Sequence, residues 1–322
     1  MKNNTNDKPY AIRDEQLSQM RELIIDAMET AKKTKQSFML GFETPLSQNG
    51  TPLRLSGNTW VPYKGFNVIW LTMFAYANGY TSNQFATKKG WQRLGGTIDK
   101  DQKATISHWS KPMTVVDKDD NGDETKKSFF INKCFYVYNR DQVQGLPEQE
   151  KKPIKNRPTF NNDRLERFTK AQGVETINGD TGAFYRPSTD SIHMPLKNHF
   201  KGTETLTPEE CYYSTLLHEH IHATGHAKRL NRKGITSKQR SKQLYAKEEL
   251  VAEIGATLLC CDLNVHSIGR LQDHATYLNE WIDAIKNDNK NKLLFSVFSL
   301  ATNAVEYMHD KNVRARSLYY LA

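Results

Sequence analysis

Residues 208–225 have the sequence PEECYYSTLLHEHIHATG, and this stretch decides the fold of the C-terminal half of the chain. Thr207 stands directly before Pro208, and Glu210 follows the threonine by three positions. This spacing predicts a helix that begins with a threonine N-cap, a proline in the first helical position and a capping box. Gly225 is expected to end the helix, so its last turns carry a run of histidines.

The histidine run contains the motif HExxH at residues 218–222. His218 and His222 lie four positions apart and therefore on one helix face, which is the arrangement that a tetrahedral Zn²⁺ ion requires of two imidazoles. Glu219 lies one position further round and is predicted to act as a general base toward an activated water. A chance HExxH is expected roughly 0.02 times in such a chain, so the motif favours a metal centre over histidines that line a core.

A catalytic zinc ion needs three protein ligands and an open position, so one more ligand must come from elsewhere in the chain. The favoured candidate is Glu249, in the sequence EELVAE at residues 248–253 of the next predicted helix. Its carboxylate completes a site of two histidines and one glutamate, and the small Ala252 lets the two helices approach. Glu253, one turn further on, is then placed to orient a ligand imidazole.

Other third ligands remain open when only the residues are considered. A related motif has its third histidine at the position of Lys228, which cannot ligate while it is charged. The remaining alternatives are two neighbouring glutamates and the histidine after the helix end: Glu248, Glu253 and His226. The glutamates also have a structural interpretation, because helical carboxylates commonly pair with lysines of the same helix, here Lys242 or Lys247.

This site predicts metal-assisted hydrolysis of a polarised carbonyl group, and a peptidase is the natural class of enzyme. Residues 191–195 precede the motif helix, where zinc peptidases have an edge strand that pairs with an extended peptide, so we expect an edge strand there. Three tyrosines are candidates for stabilising the tetrahedral intermediate, with a place in the core as the alternative for each: Tyr185, Tyr212 and Tyr245.

The remaining patterns predict an α+β chain of two domains. Helical periodicity recurs at 14–35, 68–78, 243–261, 267–287 and 290–309, and two strands are predicted at 104–116 and 129–138 with a polar hairpin loop between them. Residues 147–158 contain three prolines and have the composition of a linker. The predicted units are an α+β domain at 1–146, a linker at 147–160 and a mainly helical domain with a small sheet at 161–322.

Positive charge and tryptophan are concentrated between Ala31 and Val116. This window has 11 Lys/Arg against three acids and contains four of the five tryptophans. Cations that follow phosphates and rings that stack on unpaired bases are features of single-stranded nucleic-acid grooves, with a solvated basic face as the alternative. Trp70, Phe74 and Trp109 lie in apolar patterns and are expected in the core. The predicted DNA-binding residues are Arg54, Trp60, Tyr63, Lys64, Lys88, Lys89, Trp91 and Arg93.

A second basic run occupies residues 228–247, with eight Lys/Arg and no acid. It separates the histidine motif from Glu249. We therefore expect it either to flank the cleft and attract an anionic substrate or to form a solvated loop.

Composition argues against membrane and secreted proteins. The mean hydropathy is −0.71, and no apolar run approaches the roughly 20 residues that cross a bilayer, so no membrane partner is expected. The first ten residues lack the apolar segment of a secretory signal, and the four cysteines form no CxxC pair. The predicted location is the cytoplasm. The net charge of +9 is a weak indication of an anionic partner.

Several longer segments resemble one protein family. YKGFNVIWL (63–71), NGYTSNQFATKKGWQRLGG (78–96) and YVYNRDQVQGLP (136–147) are similar to the N-terminal single-stranded-DNA-binding domain of ArdC-type antirestriction proteins, which is shared with conjugative-plasmid primases. AFYRPSTDSIHMP (183–195), YYSTLLHEHIHATGHAKRLNR (212–232) and YAKEELVAEIGATLLC (245–260) resemble the zincin-like metallopeptidase domain that follows it in that family. The resemblance covers most of the chain, with both domains in order.

This resemblance implies an antirestriction protein of a mobile element that binds single-stranded DNA and protects incoming DNA from host restriction. It also implies zinc at His218, His222 and a downstream glutamate, and a protein substrate whose identity does not follow. One alternative is a DNA-binding shield with a structural zinc site, and another is a zinc peptidase that cleaves a DNA-bound regulator. Glu219 favours an active peptidase, because a structural site does not need a general base.

Overall fold

The computed structural model describes most of the chain in segments. The described residues are 7–34, 50–64, 66–118, 124–147, 162–202, 206–237, 241–263, 265, 279, 281–288 and 292–319. Among them, no helix combines the length and the apolar character that crossing a bilayer requires.

The N-terminal half contains a five-stranded sheet in the order β2-β1-β3-β5-β4, in which β1 and β3 are parallel and the other neighbours are antiparallel. Its elements in chain order are α1 (Asp7–Thr34), β1 (Leu53–Ser56), β2 (Thr59–Pro62), α2 (Phe66–Ala77), β3 (Gln84–Ala86), α3 (Lys88–Arg93), β4 (Thr105–Lys118), β5 (Glu124–Asn139) and a 3₁₀ turn (Arg140–Gln142).

The predicted helices and the predicted hairpin of this half are confirmed with changed bounds. α1 and α2 both begin earlier than predicted, and β4 and β5 each extend into the polar stretch that was expected to be loop. The sequence patterns do not predict the β1–β2 hairpin, β3 or α3, because these elements are short and interrupted by glycine and proline. Gly57 supplies the positive φ of 60° that the tight β1–β2 turn requires.

The C-terminal half contains helices and a three-stranded sheet in the order β6-β8-β7. Its elements are α4 (Asn162–Lys170), β6 (Glu175–Asn178), β7 (Phe184–Arg186), β8 (Ser191–Met194), a 3₁₀ turn (Lys197–His199), α5 (Pro208–Thr224), α6 (Lys233–Thr236), α7 (Lys242–Leu263) and α8 (Lys292–Tyr319). These bounds confirm the helices predicted at 208–224, 243–261 and 290–309. Residues 281–286 are helical, and most of the helix predicted at 267–287 lies outside the described residues.

The prediction of an edge strand at residues 191–195 is wrong. β8 is the central strand of its sheet, because β6 pairs with it in parallel and β7 pairs with it antiparallel. All four residues of β8 are buried, as expected for a strand with a neighbour on each side. A peptide therefore cannot pair with β8, and the edges of this sheet are β6 and β7.

The larger cluster of buried apolar residues extends through both halves of the described chain. It includes Ile24 of α1, Trp70 of α2, Leu217 of α5, Val251 of α7 and Phe298 of α8. The predicted linker at 147–160 lies almost entirely outside the described residues, so the domain bounds stay predictions.

α5 and α7 pack closely because small residues of α7 lie at their contact. A Cβ atom added at Gly255 would lie 2.9 Å from Cδ1 of Ile221, which is too close for two carbon atoms. Ala252, one turn earlier on α7, is fully buried. This close contact brings the polar side chains of α7 up to the histidines of α5.

We expect Gly255→Val to destabilise the protein by about 1–3 kcal/mol, because the added side chain overlaps Ile221. Denaturant unfolding measures the change. Gly182→Val is the matched control, since a Cβ at Gly182 meets nothing within 4 Å. A Gly255→Val protein as stable as the control would contradict the close helix contact.

Candidate metal centre

α5 is capped as its sequence predicts. Thr207 Oγ1 accepts a hydrogen bond from the Glu210 backbone N–H at 3.2 Å, and Glu210 Oε2 accepts one from the Thr207 N–H at 3.0 Å. Pro208 occupies the first helical position, and Gly225 caps the other end. The capped helix fixes which residues of the HExxH motif face α7.

His218 and His222 converge on Glu249. Glu249 Oε2 lies 3.6 Å from His218 Nε2, and Glu249 Oε1 lies 3.5 Å from His222 Nε2. One ligand atom from each of the three buried residues lies within 4.8 Å of the others. Two imidazole nitrogens and a carboxylate oxygen are a donor set that fits Zn²⁺ and other divalent transition metals. The residues present therefore fit a metal ion.

The other ring nitrogen of each imidazole faces a further glutamate of α7. His218 Nδ1 lies 3.4 Å from Glu253 Oε2, and His222 Nδ1 lies 3.4 Å from Glu248 Oε1. A carboxylate at Nδ1 favours the tautomer that carries its proton there, which leaves the Nε2 lone pair for a metal. The three glutamates of EELVAE are thus directed at the histidines. Lys247, one of the two lysines considered as their helical partners, donates to Ser296 Oγ at 2.7 Å.

Buried charge at this centre is mostly negative. Burial disfavours protonation of His222, but the neighbouring carboxylates of Glu249 and Glu248 raise its pKa to about 10. Burial alone would raise the pKa of Glu249, but His222 and His218 hold it well below its usual range. The buried charged groups at the centre are the carboxylates Glu219, Glu248, Glu249 and Glu253 and the guanidinium of Arg232. This excess of negative charge suits a dication.

Glu219 is buried next to His218, with 4% of its surface exposed. Its carboxylate is close enough to His222 to contribute to the raised pKa of that imidazole. The predicted general base therefore lies in the same buried cluster as the two histidines.

His226 lies outside the cluster, because α5 ends at Thr224 and the chain turns at Gly225. Its Nδ1 is 3.6 Å from Asp190 Oδ2. Asp190 also accepts a hydrogen bond from Tyr185 Oη at 2.7 Å, and Tyr212 Oη donates to Asn178 Oδ1 at 3.1 Å. These two tyrosines therefore already have partners within the fold.

Sequence reasoning missed the role of Arg232, which belongs to the basic run 228–247. The solvated-loop interpretation is wrong for this residue, because its side chain is buried and contacts Glu248. The sequence signal for this burial is the pair of glycines on either side of Arg232. Gly225 leaves space for the arginine side chain, and Gly234 leaves space for Glu248.

The predicted DNA-binding cations are exposed, whereas two of the predicted aromatic residues are not. Arg54, Lys64, Lys88, Lys89 and Arg93 are all exposed, and Trp60 is half-buried. Tyr63 is only 8% exposed and Trp91 only 1%, and Trp91 Nε1 donates to the Tyr138 carbonyl at 3.0 Å. The base-stacking assignment of Tyr63 and Trp91 is therefore corrected, because both rings belong to the core.

Trp109 is exposed, although its apolar sequence pattern predicts a place in the core. On β4, 42% of its surface is exposed. Phe135 on β5 is 43% exposed, and Lys133 pairs directly with Trp109 in the antiparallel register. Because side chains two positions apart share a face of a strand, these three residues lie on one face of the β4–β5 ribbon.

Comparison with known families matches two successive parts of the chain. Residues 14–138 match the N-terminal domain of anti-restriction factor ArdC, and residues 163–297 match a zincin-like metallopeptidase.

Individual relatives are similar to this chain over most of its length. An uncharacterized protein of Sinorhizobium fredii is 30% identical over 270 residues, which cover 83% of each chain. The DNA primase TraC of Escherichia coli is 34% identical over 256 residues, which cover 74% of this chain but only 22% of the primase. Only part of that longer protein is therefore comparable.

Two crystal structures of the antirestriction ArdC protein from plasmid R388 share the fold. The metal-free structure has 30% identity and a TM-score of 0.64, with 90% of this chain and 97% of the other covered. The Mn(II)-bound structure has 28% identity and a TM-score of 0.63, with 91% and 97% covered. Together with the matched domains, they confirm the predicted α+β architecture of two domains. This chain belongs to the ArdC antirestriction family.

Proposed function

We propose that this protein is an antirestriction factor of a mobile element that binds single-stranded DNA, carries a metal-dependent peptidase site and protects incoming DNA in the cytoplasm. The observation that carries the proposal is the convergence of two histidine Nε2 atoms on Glu249 beside a buried Glu219. A general base next to the ligands has a use in hydrolysis and none in a structural site.

His218, His222 and Glu249 would hold the metal ion, and we propose Zn²⁺. Mn²⁺ is the competing choice, because the R388 relative has a Mn(II)-bound structure. When bound, such an ion supplies Lewis-acid activation of a water molecule and of the substrate carbonyl.

The protein's own residues supply orientation and proton transfer. Glu248 and Glu253 hold the imidazoles from their Nδ1 sides, which keeps both Nε2 atoms directed at one point. Glu219 accepts the proton of the attacking water and delivers it to the leaving amine. The proposed substrate is a protein associated with DNA.

The proposed DNA surface combines the exposed cations with the β4–β5 ribbon. Lys133 Nζ lies 5.9 Å from the centroid of the Trp109 ring, and Phe135 is exposed on the same face. An exposed ring beside a cation is suited to stack on an unpaired base while the cation contacts a phosphate. Trp109 and Phe135 therefore replace Tyr63 and Trp91 as the proposed base-stacking residues, and Trp60 is retained.

Substitution of Glu249 should remove the metal, whereas substitution of Glu219 should not. We expect wild-type protein and Glu219→Gln to retain about one Zn²⁺ per chain after dialysis, and Glu249→Gln to lose it, because Glu249 faces both Nε2 atoms. Elemental analysis measures the ratio. Full metal content in Glu249→Gln would remove this glutamate from the ligand set.

Protection of transferred DNA distinguishes an active peptidase from a DNA-binding shield with a structural metal site. Glu219→Gln keeps the ligands but lacks the base, so we expect it to lose protection in a conjugation assay into a restricting host, while its DNA affinity stays at the wild-type value. Full protection by this variant would favour the shield with a structural metal.

Binding of single-stranded oligonucleotides tests the ribbon. We expect Trp109→Ala and Phe135→Ala each to weaken binding by about 1–3 kcal/mol. Lys133→Ala should lower the slope of log affinity against log salt by about 1. Tyr76→Ala is the matched control, since Tyr76 is 58% exposed but lies on α2. Unchanged affinity in both ribbon variants, or an equal loss in the control, would contradict the proposed surface.

A further inference from the structure

We propose that Arg232 is a positioning residue of the metal centre, which acts through Glu248 to keep Nε2 of His222 directed at the metal. This inference rests on the proposed metal site. It adds a residue that reaches the metal ligand His222 through Glu248.

Arg232 is buried, with 4% of its surface exposed. Its guanidinium contacts both carboxylate oxygens of Glu248. Arg232 Nε lies 3.2 Å from Glu248 Oε1 and 3.1 Å from Oε2, and Nη2 lies 2.5 Å from Oε1. Several N–H groups in one plane are a property of arginine that lysine cannot reproduce.

The same guanidinium fastens Glu248 to the last turn of α5. Nη1 donates to Thr224 Oγ1 at 2.6 Å, and Nη2 donates to the Ile221 carbonyl at 2.7 Å. Ile221 directly precedes His222, so the arginine is anchored to the turn that carries this imidazole. The backbone of α5 therefore fixes where the Arg232 guanidinium lies relative to His222.

Glu248 connects the Arg232 guanidinium to the imidazole of His222. The Oε1 atom that accepts hydrogen bonds from Arg232 is also the atom that lies 3.4 Å from His222 Nδ1. An acceptor held at Nδ1 selects the tautomer and the ring orientation that present Nε2 to the metal.

Two glycines confine this arrangement. A Cβ at Gly234 would lie 2.6 Å from Glu248 Oε2, and a Cβ at Gly225 would lie 2.9 Å from Arg232 Nη2. Protein backbone therefore packs directly against the ion pair on both of these sides. The carboxylate has little room to adopt another position while the arginine is present.

Arg229 provides a matched comparison within the same loop. Its Nε donates to the Ala223 carbonyl at 2.6 Å, so it also supports the end of α5. Its guanidinium also donates to Asp190 Oδ2 and to the Tyr185 hydroxyl. Loss of Arg229 should weaken the helix end without changing the Glu248 contact.

The test is the dissociation constant for Zn²⁺, measured by competition with a chromophoric chelator. We expect Arg232→Met and Glu248→Gln each to bind Zn²⁺ roughly 10- to 100-fold more weakly than wild type. The double variant should be little weaker than either single variant, because both substitutions break one chain of contacts. Arg229→Met should retain wild-type affinity.

Wild-type affinity in Arg232→Met would overturn the proposal. Additive losses in the double variant, or an equal loss in Arg229→Met, would also overturn it, because they would assign Arg232 a purely structural role. If Arg232→Met does not fold, Arg232→Lys takes its place, with a smaller loss expected and wild-type affinity again contradictory. A wild-type protein that binds no Zn²⁺ would overturn the metal centre itself, which is a distinguishable result.

Discussion

The arrangement of the site depends on the contact in which α7 presents three glutamates to two imidazoles of α5. Glu253 and Glu248 face the Nδ1 atoms, and Glu249 faces both Nε2 atoms. Each histidine therefore has a carboxylate on its Nδ1 side and presents Nε2 to Glu249. This division of roles requires α5 and α7 to lie close together, which the small residues of α7 permit.

Burying so many carboxylates costs free energy unless positive charge accompanies them. Arg232 supplies one buried positive charge, and in the metal-free protein the raised pKa of His222 adds an imidazolium. A divalent ion at the Nε2 atoms would replace that proton and neutralise more of the cluster. The centre is thus better balanced with a metal than without one, which is the property expected of a site that retains its ion.

Much of this centre was predictable from local sequence, because local rules govern it. The cap at Thr207, the end at Gly225 and the spacing of His218 and His222 are all set within one helix. The helical repeat and the size of Ala252 favoured Glu249 as the third ligand but left Glu248 and Glu253 open. The family resemblance agreed with this choice but did not decide it.

Properties that depend on distant packing were not predictable. β8 became a central strand because β6 and β7 flank it, which no pattern in residues 191–195 encodes. Trp91 is buried although cations surround it in the sequence, and Trp109 is exposed although its apolar pattern predicts the core, because burial depends on what packs against each ring. In the sequence Arg232 is one cation of a basic run, and its burial depends on Glu248, which lies beside it only in the folded chain.

A crystal structure of the protein soaked with Zn²⁺, with anomalous data collected at the zinc edge, tests the assignment of His218, His222 and Glu249 as the metal ligands. We expect one strong peak about 2.0–2.2 Å from Nε2 of His218, Nε2 of His222 and an oxygen of Glu249, with Glu253 and Glu248 still at the Nδ1 atoms. A peak bound by Glu248 or Glu253, or an imidazole that ligates through Nδ1, would contradict it.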